Sequence, residues 1–168
     1  MDYDSKARVG FSRENARRLL QSHNITSPPV NVEALAHAHG YTVERRDWPK
    51  SVSGIGFKTD RLIGINSNHA VVRQRFTIAH ELGHFLLGHR DEEPLTSVAT
   101  IDDEPREIPY AKIAEEEANI FAGELLVPLP FLKKSHAKCK DPDRLADEYH
   151  VSRDVMFIQL KNHRLLFK

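Results

Sequence analysis

The chain has 168 residues, of which 40% are hydrophobic, and a formal net charge of zero. That length supports one domain with a real core plus a small appendage, and the charge balance argues against a protein built mainly to hold nucleic acid. No run approaches twenty apolar residues, the N-terminal MDYDSKARVG is polar, and Cys139 is the only cysteine; an internal disulfide is excluded, and a protein of the reducing cytoplasm with no membrane span is expected.

The elements follow in chain order. FSRENARRLL opens a helix, with Ser12 suited to the N-cap and Phe11 and Ala16 placed for a hydrophobic staple. VNVEALAHAHG is a second helix stopped by Gly40. The period then changes, and YTVERRDW, SGIGFKT and RLIGINS read as three short strands. The last two meet around Thr59-Asp60, which predicts an antiparallel hairpin. A long helix is expected from about His69 to His89, then an acidic, proline-bearing loop, DEEPLTSVATIDDEPREIP. Helical periodicity returns from Tyr110 to Leu126 and breaks at VPLP, and two short helices near 141–149 and 152–163 complete the chain. Charge is segregated: Asp91 to Glu117 holds ten acidic and two basic residues, and Lys133 to Lys168 nine basic and five acidic. Such blocks are in the first instance solvated faces.

RFTIAHELGHFLLGH, Arg75 to His89, carries the chemistry. On a helix, residues four apart differ by about 40° around the axis, so His80 and His84 project from one face and two imidazole nitrogens can share one ion. Glu81 is rotated about 100° from His80; it borders the ion and can reach a water there. This is the physical content of an HExxH pattern, two zinc ligands and a general base. Gly83, between the ligands, is expected to leave room for a substrate or a neighbouring strand.

Catalytic zinc usually takes three protein ligands. His89 is an unsuitable third, because it lies about 140° around an ideal helix from His84. The longer HExxHxxGxxH pattern would need glycine at 87 and histidine at 90, where this chain has Leu87 and Arg90, and no methionine between Met1 and Met156 can form a Met-turn. His89 reads instead as a helix-end residue facing the C-terminal dipole. The better source is IAEEEANIFAGELL, where Ala111, Ala114, Ala118, Phe121, Ala122 and Leu125 form an apolar stripe. Glu115 and Asn119 share one border of it, Glu117 and Glu124 the other, and Glu116 faces away. Spacing alone does not choose between the borders. Chemistry favours Glu115, because Asn119 beside it could accept the free N–H of a ligand histidine and fix its tautomer.

RFTIAHELGHFLLGH followed by EEEANIFAGELLVP resembles the two signature segments of the ImmA/IrrE metallopeptidases, zinc proteases with a gluzincin-like site. PPVNVEALAHAHGYTV, SGIGF and IGINS fall where that family places its leading helix and strands, so the similarity covers about Ala16 to Leu166. The resemblance implies that His80, His84 and Glu115 are metal ligands, Glu81 the catalytic base and Asn119 a residue behind the ligands. It implies zinc, with manganese or another divalent ion as alternatives, and a helix-turn-helix repressor as protein substrate. Longer members continue into a sensory domain, which residues up to Lys168 leave no room for.

The expected fold is α+β: a mainly helical zincin-like metallopeptidase domain at 1–137 with a small antiparallel three-stranded sheet, and a helix-turn-helix-like C-terminal segment at 138–168 packed on it. That segment, RLADEYHVSRDVMFIQLKNHRLL, has Ser152 as N-cap and Leu145, Ala146, Tyr149, Val151, Val155 and Met156 as a small apolar face. Arg153, Gln159, Lys161 and Asn162 could read DNA, but Asp154 would repel phosphate, so contact with protein is favoured over direct DNA binding. The leading function is a cytoplasmic zinc endopeptidase, with Tyr110, His69 and His89 as possible oxyanion donors and the hairpin from Ser53 to Ser67 as an edge for substrate to extend. The rival is a non-proteolytic, metal-containing regulator that binds a repressor or DNA through its C-terminal helices. The cleaved bond, the activating signal and the oligomeric state are not legible.

Overall fold

The structure is a computed structural model that describes residues 6–89 and 109–166. Its helices are α1 (Val9–Ser22), α2 (Val32–Ala38), α3 (Val71–Leu86), α4 (Pro109–Leu126), α5 (Leu129–Lys138), α6 (Pro142–Tyr149) and α7 (Arg153–Asn162), and its strands β1 (Thr42–Arg46), β2 (Gly54–Phe57) and β3 (Leu62–Asn66). This is the α+β class expected. The acidic segment ahead of Pro109 lies outside the described residues. No described helix is long and apolar enough to cross a membrane.

Helix α2 starts and stops on local signals: the Asn31 side chain accepts the Ala34 N–H at 3.0 Å, and Gly40 takes φ +80° just beyond its end. The start of α1 is different from the sequence expectation. The helix begins at Val9, and Ser12 is buried in its first turn with Oγ donating to the Arg8 carbonyl at 3.2 Å. The free backbone N–H of Arg8 is satisfied from another helix, by Glu117 Oε1 of α4 at 2.8 Å. A buried carboxylate thus does what a local cap would do. Phe11 is exposed beneath the Arg8 guanidinium, 4.4 Å from its ring centre, and makes no staple with Ala16.

The sheet is mixed rather than antiparallel, with order β1-β3-β2. The β2–β3 hairpin is antiparallel as expected, but β1 runs parallel to β3 on its other side. The chain therefore crosses the end of β3 between β1 and β2. Asn66, fully buried at that end, holds the crossing: its amide nitrogen donates to the carbonyls of Pro49 at 2.9 Å and Val52 at 2.7 Å. This places Ile63 and Ile65 of β3, both 0% exposed, at the centre of the sheet. The apolar strand is thereby paired along both edges, which a simple meander ending in β3 would not give it.

Helices α3 and α4 pack side by side, with the sheet against α3 and α1 against α4. The close approach of α3 and α4 occurs at Gly83, where an added Cβ would stand 2.9 Å from Cδ1 of Phe121. Gly83 therefore makes room for the second helix, not for a substrate or strand. Helix α5 was not expected at all. Prolines break a helix interior but suit its first turn; Pro128 is the N-cap and Pro130 lies in that turn. VPLP thus ends one helix and begins the next.

Glu124 of α4 joins distant parts of the chain. It is fully buried, accepts Arg17 Nε of α1 at 2.7 Å and the Leu129 N–H at 3.1 Å, and has His163 Nε2 at 3.5 Å. Burial pushes its pKa up, but the His163 and Arg17 contacts outweigh this and hold it below the ordinary 4.5. A depressed folded pKa means that the unfolded chain binds more protons, so stability is present above about 4.5 and lost as pH falls below it. The urea midpoint of the wild type should thus fall more steeply than that of Glu124→Gln between pH 5 and 3 (roughly the window of carboxylate titration). Parallel curves for the two proteins would contradict the assignment.

Candidate metal centre

Both ligand histidines come from α3, whose apolar residues Ile78, Ala79, Leu82 and Phe85 are buried and fix the roll of the helix. That roll turns His80 and His84 towards α4, where Glu115 lies. Nε2 of His80 and Nε2 of His84 are 3.0 Å apart. Glu115 spans the pair, with Oε2 at 3.2 Å from His80 Nε2 and Oε1 at 3.1 Å from His84 Nε2. Among the described residues these three form the group suited to holding a metal ion, with ligand atoms all within 4.8 Å of one another. Two imidazoles and one carboxylate converging on one point match the donor set of a divalent site that keeps a position open.

The electrostatics agree with that donor set. Burial pushes the Glu115 carboxyl up, but hydrogen bonds and charge from His80 and His84 prevail and hold it well below the carboxylate range. Burial lowers His84, against the pull of Glu115, and so favours the neutral imidazole that a metal requires. For His80 burial lowers the pKa, and Glu115 and Glu81 together raise it above its ordinary value. An ion would take the place of the proton shared by these close groups.

Glu81 sits beside the ligands and is 2% exposed. The Gly56 backbone N–H bears on the carboxyl, but Oε2 has no partner in hydrogen-bond geometry, a costly condition for a buried carboxylate unless something polar is normally supplied there. Burial raises the Glu81 pKa to about 7, opposed by His80 and by the Gly56 N–H, which lower it. Strand β2 covers it: a Cβ on Gly56 would lie 2.5 Å from Glu81 Oε2 and 2.7 Å from Phe85 Cζ. Glycine at 56 is what lets an outer strand pass directly over the carboxylate.

Each ligand histidine has a partner behind it. His80 Nδ1 faces Asn119 Oδ1 at 2.9 Å. His84 Nδ1 faces Nδ1 of His89 at 2.9 Å, and His89 Nε2 lies 3.0 Å from Glu117 Oε2. The reading of His89 as a helix-end residue facing the dipole is therefore corrected. Helix α3 ends at Leu86, Gly88 takes φ +73°, and the chain folds back so that the His89 side chain is buried against His84. An angle drawn on a continuous helix does not apply past that glycine. The glycine itself, directly before the histidine, was the available signal. Of the expected oxyanion donors, His69 Nε2 lies 2.9 Å from the Lys50 carbonyl oxygen and His89 is committed as described; the Tyr110 side chain lies outside the described residues.

The model of one protein family, Peptidase_M78, described as the IrrE N-terminal-like domain, matches residues 29–161. The chain belongs to that family. The match takes in β1 to β3, both helices of the metal centre and most of α7, so the Peptidase_M78 domain includes all three candidate ligands and Glu81. The fold is similar to that of a solved Mycobacterium tuberculosis transcriptional regulator, with a TM-score of 0.68, 18% sequence identity, and coverage of 90% of this chain and 46% of that one. The chain thus spans about half the length of this neighbour. No curated protein sequence matches it. Family membership supports a metal-dependent, peptidase-related role for this Peptidase_M78 chain.

Proposed function

We propose that this chain is a zinc-dependent endopeptidase of the cytoplasm that cleaves a helix-turn-helix repressor protein and so relieves repression. The observation that carries the reading is the unpartnered, buried Oε2 of Glu81 beside the His80, His84 and Glu115 donors. A purely structural metal site has no use for such a group. When bound, a divalent ion would supply Lewis acidity and acidify a water. The residues of the chain do the rest. Glu81 takes the proton of the attacking water and returns it to the leaving amine. The β2 strand, an outer strand paired through β3 alone in its sheet, offers its other edge to an extended peptide beside Glu81.

The test is incubation of the metal-loaded protein with the repressor encoded beside its gene. One new cleavage product is expected, lost on chelation and restored by added zinc. Stable binding without any product would favour the non-proteolytic regulator instead.

The surface of α7 supports a protein partner over DNA. Gln159 is buried, lying where an added Cβ on Gly123 would meet it, and Arg153 Nε is paired with Asp143 at 3.0 Å. Phe157 and Ile158 are about half exposed on the same helix as the exposed Asp154. Apolar and acidic groups do not suit phosphate. No sequence-specific shift of the protein's own promoter is expected in a gel titration. A retarded band that survives excess competitor DNA and vanishes in Lys161→Ala would overturn this.

A further inference from the structure

His84 differs from His80 in what stands behind it. The partner of His80 is the neutral amide of Asn119, at the surface. The partner of His84 is the first of three groups leading away from the site. His89 is 4% exposed, Glu117 0%. Glu117 Oε2 accepts from Arg8 Nη2 at 2.8 Å, and its Oε1 accepts from Arg8 Nε and the Arg8 backbone N–H, each at 2.8 Å. We propose that His89, Glu117 and Arg8 are positioning residues that fix the tautomer of His84 and tighten its hold on the divalent ion. This rests on the metal reading of the site.

The direction of every bond follows from one requirement. A neutral imidazole carries one proton. If Nε2 of His84 gives its lone pair to the ion, the proton is on Nδ1, and Nδ1 donates to His89 Nδ1. That nitrogen must then be an acceptor, so His89 carries its proton on Nε2 and donates it to Glu117 Oε2. Glu117 as a carboxylate only accepts, and Arg8 only donates. All four groups are satisfied in one sense along the chain, and reversing any link leaves two donors or two acceptors face to face. A carboxylate behind a ligand imidazole raises its basicity and fixes its ring; here the carboxylate acts through one intervening ring. Arg8 neutralises the buried Glu117 charge, which would otherwise be costly. Arg8 also lies ahead of residues 29–161, so this terminal link is contributed from outside the matched domain.

The rival explanation is that His89 and Glu117 merely hold the fold together. The two are separated by measuring zinc affinity, by competition with a chromophoric chelator, beside the melting temperature of the metal-free protein. His89→Phe keeps a ring but has no acceptor, and its zinc dissociation constant should rise about 10–100-fold. His89→Gln can accept from His84 and donate to Glu117, and should restore most of that loss whatever its melting temperature. Long-range proton–nitrogen correlation on the zinc-loaded wild type needs no variant: His84 should carry its proton on Nδ1 and His89 on Nε2. A His89 proton on Nδ1, or a folded His89→Phe that binds zinc like the wild type, overturns the relay. A wild type with no zinc affinity overturns the metal centre itself, and the relay with it.

Discussion

Glu81→Gln is expected to abolish cleavage of the protein substrate while leaving the divalent ion bound. Glutamine has nearly the same shape, so it fits beneath Gly56, where the space above Glu81 is closed by the strand. It cannot take a proton from water. General acid–base catalysis contributes about 10²–10⁴-fold, and a loss of that size is expected in the cleavage rate. The group is 2% exposed and burial already raises its pKa to about 7, so a neutral amide should cost the fold little. Cleavage is followed on a gel and metal content by elemental analysis of the same preparation. Equal cleavage by wild type and variant would end the peptidase reading; loss of metal in the variant would show that Glu81 serves the ion directly.

The largest effect on metal should come from the donors themselves. His80→Ala, His84→Ala and Glu115→Ala each remove one ligand from a group of three. Dividing the roughly 10–16 kcal/mol typical of a zinc site among three donors assigns each about 3–5 kcal/mol, on the order of 10²–10⁴-fold in affinity. The double variant His80→Ala/His84→Ala should purify without metal. Glu117→Ala should sit between these and the wild type, because Glu117 reaches the site only through His89. Full occupancy in the double variant, or a coordination sphere containing Glu117 or His89, would refute the ligand set.

Much of the site is written in local chemistry. A four-residue spacing on a helix places His80 and His84 on one face wherever that helix packs. Asn31, Gly40 and the β-branched runs act through their own neighbours, so α2 and the three strands were legible from short segments. The carboxylates of α4 were legible only in part. Periodicity groups Glu115 with Asn119 and Glu117 with Glu124, but nothing local says which border meets α3.

Packing supplied what spacing left open. The close approach at Gly83 and Phe121 sets how α4 rolls against α3, and with it that Glu115 faces the histidines while Glu117 and Glu124 are buried against α1. The parallel placement of β1 depends on Asn66 binding a crossing segment more than a dozen residues earlier in the chain, the cap of α1 on a carboxylate 109 positions away, and the role of His89 on a reversal at Gly88. In each case the energy comes from a polar group that must find a partner when it is buried. A window of a few residues shows which groups need partners. Which partner each one meets is set by contacts between residues far apart in the chain.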